Sequence, residues 1–154
     1  MDRSVNILDK IGSLIPGYTG YAERNSRRQC DKLLREKIAG IINSSEKLMS
    51  KRIASSIKAN ENTHLNEYEE CRKKLNTIGD KIKFAPYGES AFFSSSQLKE
   101  NELFAIYQKD LALLDNSIEI NQLIPNSDCK TILNTIDIFE TMVNERNGFI
   151  KEFK

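Results

Sequence analysis

The sequence predicts an all-α fold: an antiparallel four-helix bundle with a short extra N-terminal helix and an ordered aromatic loop between helices 3 and 4. Three observations carry this. Apolar residues recur at helical spacing almost throughout the chain. No segment alternates with period two for long enough to make a strand. Glycine, proline and aromatic residues gather in two short stretches, IPGYTGY (15–21) and FAPYGESAFF (84–93). With 154 residues the chain can bury a substantial core. Neither a linker nor an internal repeat divides it, so residues 1–154 read as one domain.

The first helix covers about residues 4–14, with Val5, Leu8, Ile11 and Ile15 on one side. Pro16 ends it, and Gly17 and Gly20 permit the turn that follows. Its amphipathic pattern suits packing onto the bundle or a partner better than lying on a membrane, because it carries few cations. The second helix is expected over about 22–59, with a stripe of Cys30, Leu34, Ile38, Ile41, Leu48, Ile53 and Ile57. Asn43, Ser44 and Ser45 before Glu46 resemble a helix start and leave continuity through that point open.

A polar turn at 59–63 leads to a third helix over about 64–83, with Leu65, Tyr68, Cys71, Leu75, Ile78 and Ile82 as its apolar face. Ser94 with Gln97 reads as a capping box for a fourth helix over about 97–122, where Leu103, Tyr107, Leu111, Leu114 and Ile118 share a face. Pro125 and Asn126 mark a turn, and Ser127 with Asp128 starts a last helix whose stripe runs Ile132, Ile136, Phe139, Val143, Phe149 or Ile150, and Phe153. Helix lengths constrain the layout. At 1.5 Å per residue the second helix is roughly 57 Å long and the third about 30 Å. The third therefore ends about level with Gly40, and the connection 84–96 must run on beside the second helix towards IPGYTGY.

Little in the sequence points to chemistry. The sole histidine, His64, lies in ENTH (61–64), a Glu-x-x-His pattern, but a di-iron bundle needs two such motifs. A nucleophile beside a base, a phosphate-cradling glycine loop and a membrane-length apolar run are all missing. The three cysteines are widely spaced and read as reduced thiols, and the first residues lack a signal-peptide layout. These features point to a cytoplasmic, non-enzymatic protein that needs neither cofactor nor metal.

Charge is uneven. Residues 1–59 hold 12 Lys/Arg against 6 Asp/Glu, a balance of +6, and residues 60–154 hold 11 against 16, a balance of −5. The two halves are expected to neutralise each other within one bundle. On a helical wheel Arg24, Arg28 and Arg35 fall within about 40° of each other, while Arg27 points nearer the apolar stripe. A guanidinium there needs a carboxylate, and Asp110, set in an otherwise apolar run, is the candidate structural partner.

Three segments together resemble an uncharacterised family of small bacterial helical proteins. They are LIPGYTGYAERNSRRQCDKLLREKIA (14–39), KFAPYGESAFF (83–93) and LFAIYQKDLALLD (103–115). The shared motifs are IPGY-x-GY, an arginine pair before D-x-x-L-R, YG-x-S-x-FF and Y-x-x-D-L-x-L-L, with departures at Glu89 and Ala91. The resemblance implies no activity and favours a role in a membrane-stress assembly.

The combined expectation is a scaffold or adaptor. Its partner, a protein, would dock on Tyr18, Tyr21, Tyr87, Phe92 and Phe93, bordered by Arg24, Arg28 and Arg35, because aromatics and arginine anchor interfaces. Membrane contact would come through that partner, and no small-molecule substrate is inferred. The alternative is an anionic ligand or nucleic acid at the basic edge of the second helix, which the near-neutral overall charge disfavours.

Overall fold

The computed structural model describes residues 2–154, of which 77% of the chain is helical, with no strand among the described residues. Six α-helices follow one another: α1 (Asp2–Leu14), α2 (Arg27–Lys58), α3 (Leu65–Lys83), α4 (Ala91–Ser94), α5 (Glu100–Leu123) and α6 (Cys129–Lys151). The long helices close a ring of contacts: α2 packs on α3 and α5, and α6 packs on α5 and α3. α1 lies along α5, and the short α4 rests on α6.

Local chemistry sets the boundaries. After α1 the chain turns through Gly17 at φ +90° and Gly20 at φ +92°, conformations that cost side-chain-bearing residues dearly. Arg24–Ser26 form a 3-10 turn, so α2 begins at Arg27 and not near residue 22. It then continues through Asn43–Ser45. Ser45 is fully buried. Its hydroxyl bonds back to the Ile41 carbonyl and accepts from Asn121 of α5, which uses the serine as a helix contact instead of a cap. The turn to α3 passes through Asn60 at φ +58°. Asp128 accepts from the Thr131 amide at 2.7 Å and caps α6 as its sequence implies.

The start of the fourth predicted helix differs from expectation. Ser94 closes α4, whose cap is Ser90, and α5 begins only at Glu100. There Glu102 accepts from the Lys99 amide at 2.7 Å, the carboxylate half of a capping box five residues later than predicted. Leu98, buried in between, holds the chain extended over the core.

Two buried stripes are rotated from the predicted ones. On α2 the buried face runs Ile38, Ile42, Ser45 and Met49, whereas Ile41 and Leu48 lie at its margin and Ile57 is 55% exposed. On α5 it runs Ile106, Asp110, Leu113, Ser117 and Ile120, with Leu103, Leu111 and Ile118 half-buried. In both helices polar residues occupy core positions, and a pattern drawn through apolar residues alone slides off them. On α6 the predicted stripe of Ile132, Ile136, Phe139, Val143 and Ile150 is the buried one.

An arginine of α2 fastens each end of the assembly. At the lower end Arg52 donates to the carbonyls of Ile124 and Ser127 at 2.9 and 2.7 Å, and stacks over Tyr68. It thereby satisfies acceptors left open where α5 ends. At the other end Arg27 does the equivalent, and there the candidate site lies.

Candidate functional site: a buried tyrosine–aspartate–arginine cluster

The connection 84–96 climbs along α2, as the helix lengths require. The Lys83 carbonyl accepts from Arg35 Nη1 at 2.6 Å, the Tyr87 hydroxyl donates to Asp31 at 2.9 Å, and Phe93 lies under Arg28. Further up, the carbonyls of Phe92 and Ser95 accept from Arg27 at 3.2 and 2.6 Å. The third helix thus ends level with Arg35, about one turn beyond the expected Gly40. Phe92 then meets Tyr21 edge to face at a centroid distance of 5.2 Å, which makes the two aromatic stretches one packed feature.

Beneath these rings lies a cluster of ionisable groups drawn from five parts of the chain. Asp110 of α5 is fully buried. Its carboxylate accepts from the hydroxyls of Tyr18 and Tyr21 at 2.7 and 2.5 Å, and from Arg146 Nε of α6 at 2.6 Å. Arg146 reaches on through Nη2 to Asp31 at 2.9 Å and to the Tyr21 hydroxyl at 3.1 Å. Its Nη1 donates to the Tyr87 hydroxyl at 2.5 Å. Asp31 in turn accepts from Arg35 Nε at 2.9 Å. Two carboxylates face two guanidinium groups, so the cluster is neutral with its tyrosines protonated. No buried side-chain nitrogen or oxygen among the described residues lacks a partner.

The electrostatics follow from burial. Desolvation raises the carboxyl of Asp110, opposed by Arg146 and by the tyrosine hydroxyls that bond it. Burial alone would lower Arg146, yet Asp110, the tyrosine oxygens and Asp31 outweigh it and hold the guanidinium charged, well above its ordinary value. Burial first, and then the Asp110 charge, push Tyr18 and Tyr21 far above an ordinary phenol. Tyr87 is raised too, by burial and Asp31 against the pull of Arg146.

The ion pair expected between Arg27 and Asp110 does not form. Arg27 is fully buried and, among the described residues, meets carbonyls: those of Tyr21, Ala22, Phe92 and Ser95. It is a backbone clamp on both aromatic stretches. The cation of Asp110 is Arg146, a residue the sequence reading passed over. A signal existed. Arg146 lies three residues after Val143 and four before Ile150, on the core stripe of α6. A charged residue on an apolar stripe flags a buried pair whichever sign it carries.

The expected aromatic docking surface is also corrected. Tyr18, Tyr21, Tyr87, Phe92 and Phe93 are all buried, at most 8% exposed, because their hydroxyls serve the cluster and their rings pack on each other and on α6. Of the three bordering arginines, Arg24 and Arg28 are exposed, whereas Arg35 is spent on Asp31 and the Lys83 carbonyl. Arg24 falls in the 3-10 turn and leaves the helical wheel it was assigned to. The basic edge is correspondingly smaller than the sequence suggests. His64 is exposed beside Glu67, and no group of potential metal ligands occurs among the described residues.

The glycine that admits the cluster is Gly20. A Cβ there would run into the Tyr107 hydroxyl, which accepts from the Tyr21 amide at 2.9 Å, and would crowd Leu8. Its positive φ adds strain for any other residue. Gly20→Ala is expected to cost about 1–3 kcal/mol, read as a lower urea midpoint at unchanged denaturant slope.

The arrangement defines an all-helical protein with a dense ionisable cluster that is closed to solvent and joins chain segments. Comparison with protein-family models, curated proteins and solved structures finds no match.

Proposed function

We propose that this chain is a non-enzymatic helical module that works through protein–protein contacts, as a scaffold or adaptor, with its four long helices forming an antiparallel bundle. The observation that carries this reading is the closure of the cluster. Its acids, tyrosines and arginines satisfy one another, and the cleft beside Arg35 and Arg146 measures about 10 Å³, room for roughly one water and not for a substrate. Chemistry that resembles an active site in residue type is therefore used to rigidify the fold. Recognition falls to the outer helix faces.

A cytoplasmic setting agrees with three free, buried cysteines. No helix among the described residues is long and apolar enough to cross a membrane, so membrane-stress assembly, implied by the family resemblance, would involve a membrane through the partner. Cross-linking mass spectrometry on the tagged protein in its source cells tests the reading. The expected result is one protein recurrently cross-linked to lysines on the outer faces. Cross-links confined to the chain itself, with a small molecule co-purifying in stoichiometric amount, would overturn it.

A further inference from the structure

The charge split in the sequence is not cancelled by folding. Among the described residues two ion pairs join the basic first part of the chain to the acidic remainder: Arg72 with Glu46, and Arg146 with Asp31. Both take the carboxylate from the basic part and the cation from the acidic part. These two pairs therefore add to the imbalance and leave acid on the outside of the second half, contrary to the neutralisation expected from sequence.

Part of that acid borders a groove between α5 and α6. Ala105 and Ala112, seven residues apart on α5, make one wall low, and Met142 and Phe149, seven apart on α6, form the other. All four are half-buried. Glu145 and Glu152 repeat at the same spacing, are exposed, and have no ion-pair partner among the described residues. The one cation of the groove, Lys109, is drawn over the Phe149 ring at 5.7 Å. The two adjoining clefts have volumes of about 310 and 540 Å³. From Met142 to Glu152 the groove runs roughly 15 Å, nearly three helical turns.

Resting on the protein-contact reading above, we propose that this α5–α6 groove docks a basic amphipathic helix of a partner protein. Apolar residues one heptad apart on both walls suit an apolar helix stripe, and two carboxylates at the same spacing with no ion-pair partner among the described residues call for cations flanking it. α5 already carries α1 along another face, which shows that its surface accepts a helix. A second copy of this chain suits the groove less well. At its basic edge on α2, Arg28 is already drawn over Phe93.

The test uses the full chain and a labelled Leu/Lys amphipathic peptide of roughly 15 residues, with a Leu/Glu peptide of the same pattern as control. Binding of the Leu/Lys peptide is expected, with methyl resonances of Ala105, Ala112 and Met142 shifting on titration. Glu145→Lys with Glu152→Lys should weaken it roughly tenfold and leave thermal melts unchanged because both groups are exposed, and Lys109→Glu should strengthen it. Equal binding of the Leu/Glu peptide, insensitivity to the charge reversal, shifts on another face, or self-association that covers the groove would each overturn the proposal. A cellular partner cross-linked to a different face would sink the groove and leave the protein-contact reading intact; the absence of any protein partner would sink both.

Discussion

Arg146→Met is expected to lose about 3–5 kcal/mol of unfolding free energy, the range for removing one member of a buried charge pair. The reason is what it leaves behind. Asp110, fully buried, would keep two tyrosine donors and no cation, while Asp31 would keep Arg35. The guanidinium also joins parts of the chain that no other single side chain connects: the turn after α1 through Tyr21, α2 through Asp31, the climbing connection through Tyr87, and α5 through Asp110. Losing it should loosen the connection 84–96 before the long helices separate, visible as faster amide exchange at Phe92 and Phe93. Urea unfolding measures the total, and a loss under about 1 kcal/mol would mean that Asp110 is not left as an uncompensated buried charge.

Alkaline pH should unfold the protein steeply. Tyr18, Tyr21 and Tyr87 all have raised folded-state values, caused first by burial and then by the Asp110 or Asp31 charge. In the unfolded chain the same phenols ionise near 10.0. The unfolded state therefore binds fewer protons than the native state above that pH. Stability is fully present below about pH 10 and falls above it, by about 1.4 kcal/mol per pH unit for each tyrosine and about 4 for the three. Tyr107, raised by burial, and the Cys71 thiol, which burial pushes up to about 12, act in the same direction. Tyrosinate absorbance should appear together with loss of helical circular dichroism. Ionisation of these phenols with the helices intact would show that the cluster is open to solvent.

Much of the fold was legible because helical periodicity is a property of the apolar residues themselves. The stripe on α6, the turn before α3 and the climb of the connection along α2 all follow from spacing and length. Where the structure departs from the apolar pattern, a polar residue holds a core position. Ser45 and Ser117 displace the stripes of α2 and α5, and Arg146, not Arg27, pairs with the Asp110 carboxylate. Residue type also misled. Tyrosine, phenylalanine and arginine in glycine-rich turns look like an interface, and only the partners of each hydroxyl reveal that the rings face inward. Which acid meets which base across five segments depends on depth and direction, and a one-dimensional pattern carries neither.

The central claim is that Arg146 and Asp110 form the charge pair on which the aromatic end of the fold is assembled. A double-mutant cycle in urea with Arg146→Met, Asp110→Leu and both together tests it most directly. The predicted result is a double variant more stable than the sum of the two losses implies, with a coupling of roughly 2–3 kcal/mol. Additivity within about 0.5 kcal/mol, or a larger coupling when Arg27→Met replaces Arg146→Met in the same cycle, would contradict it.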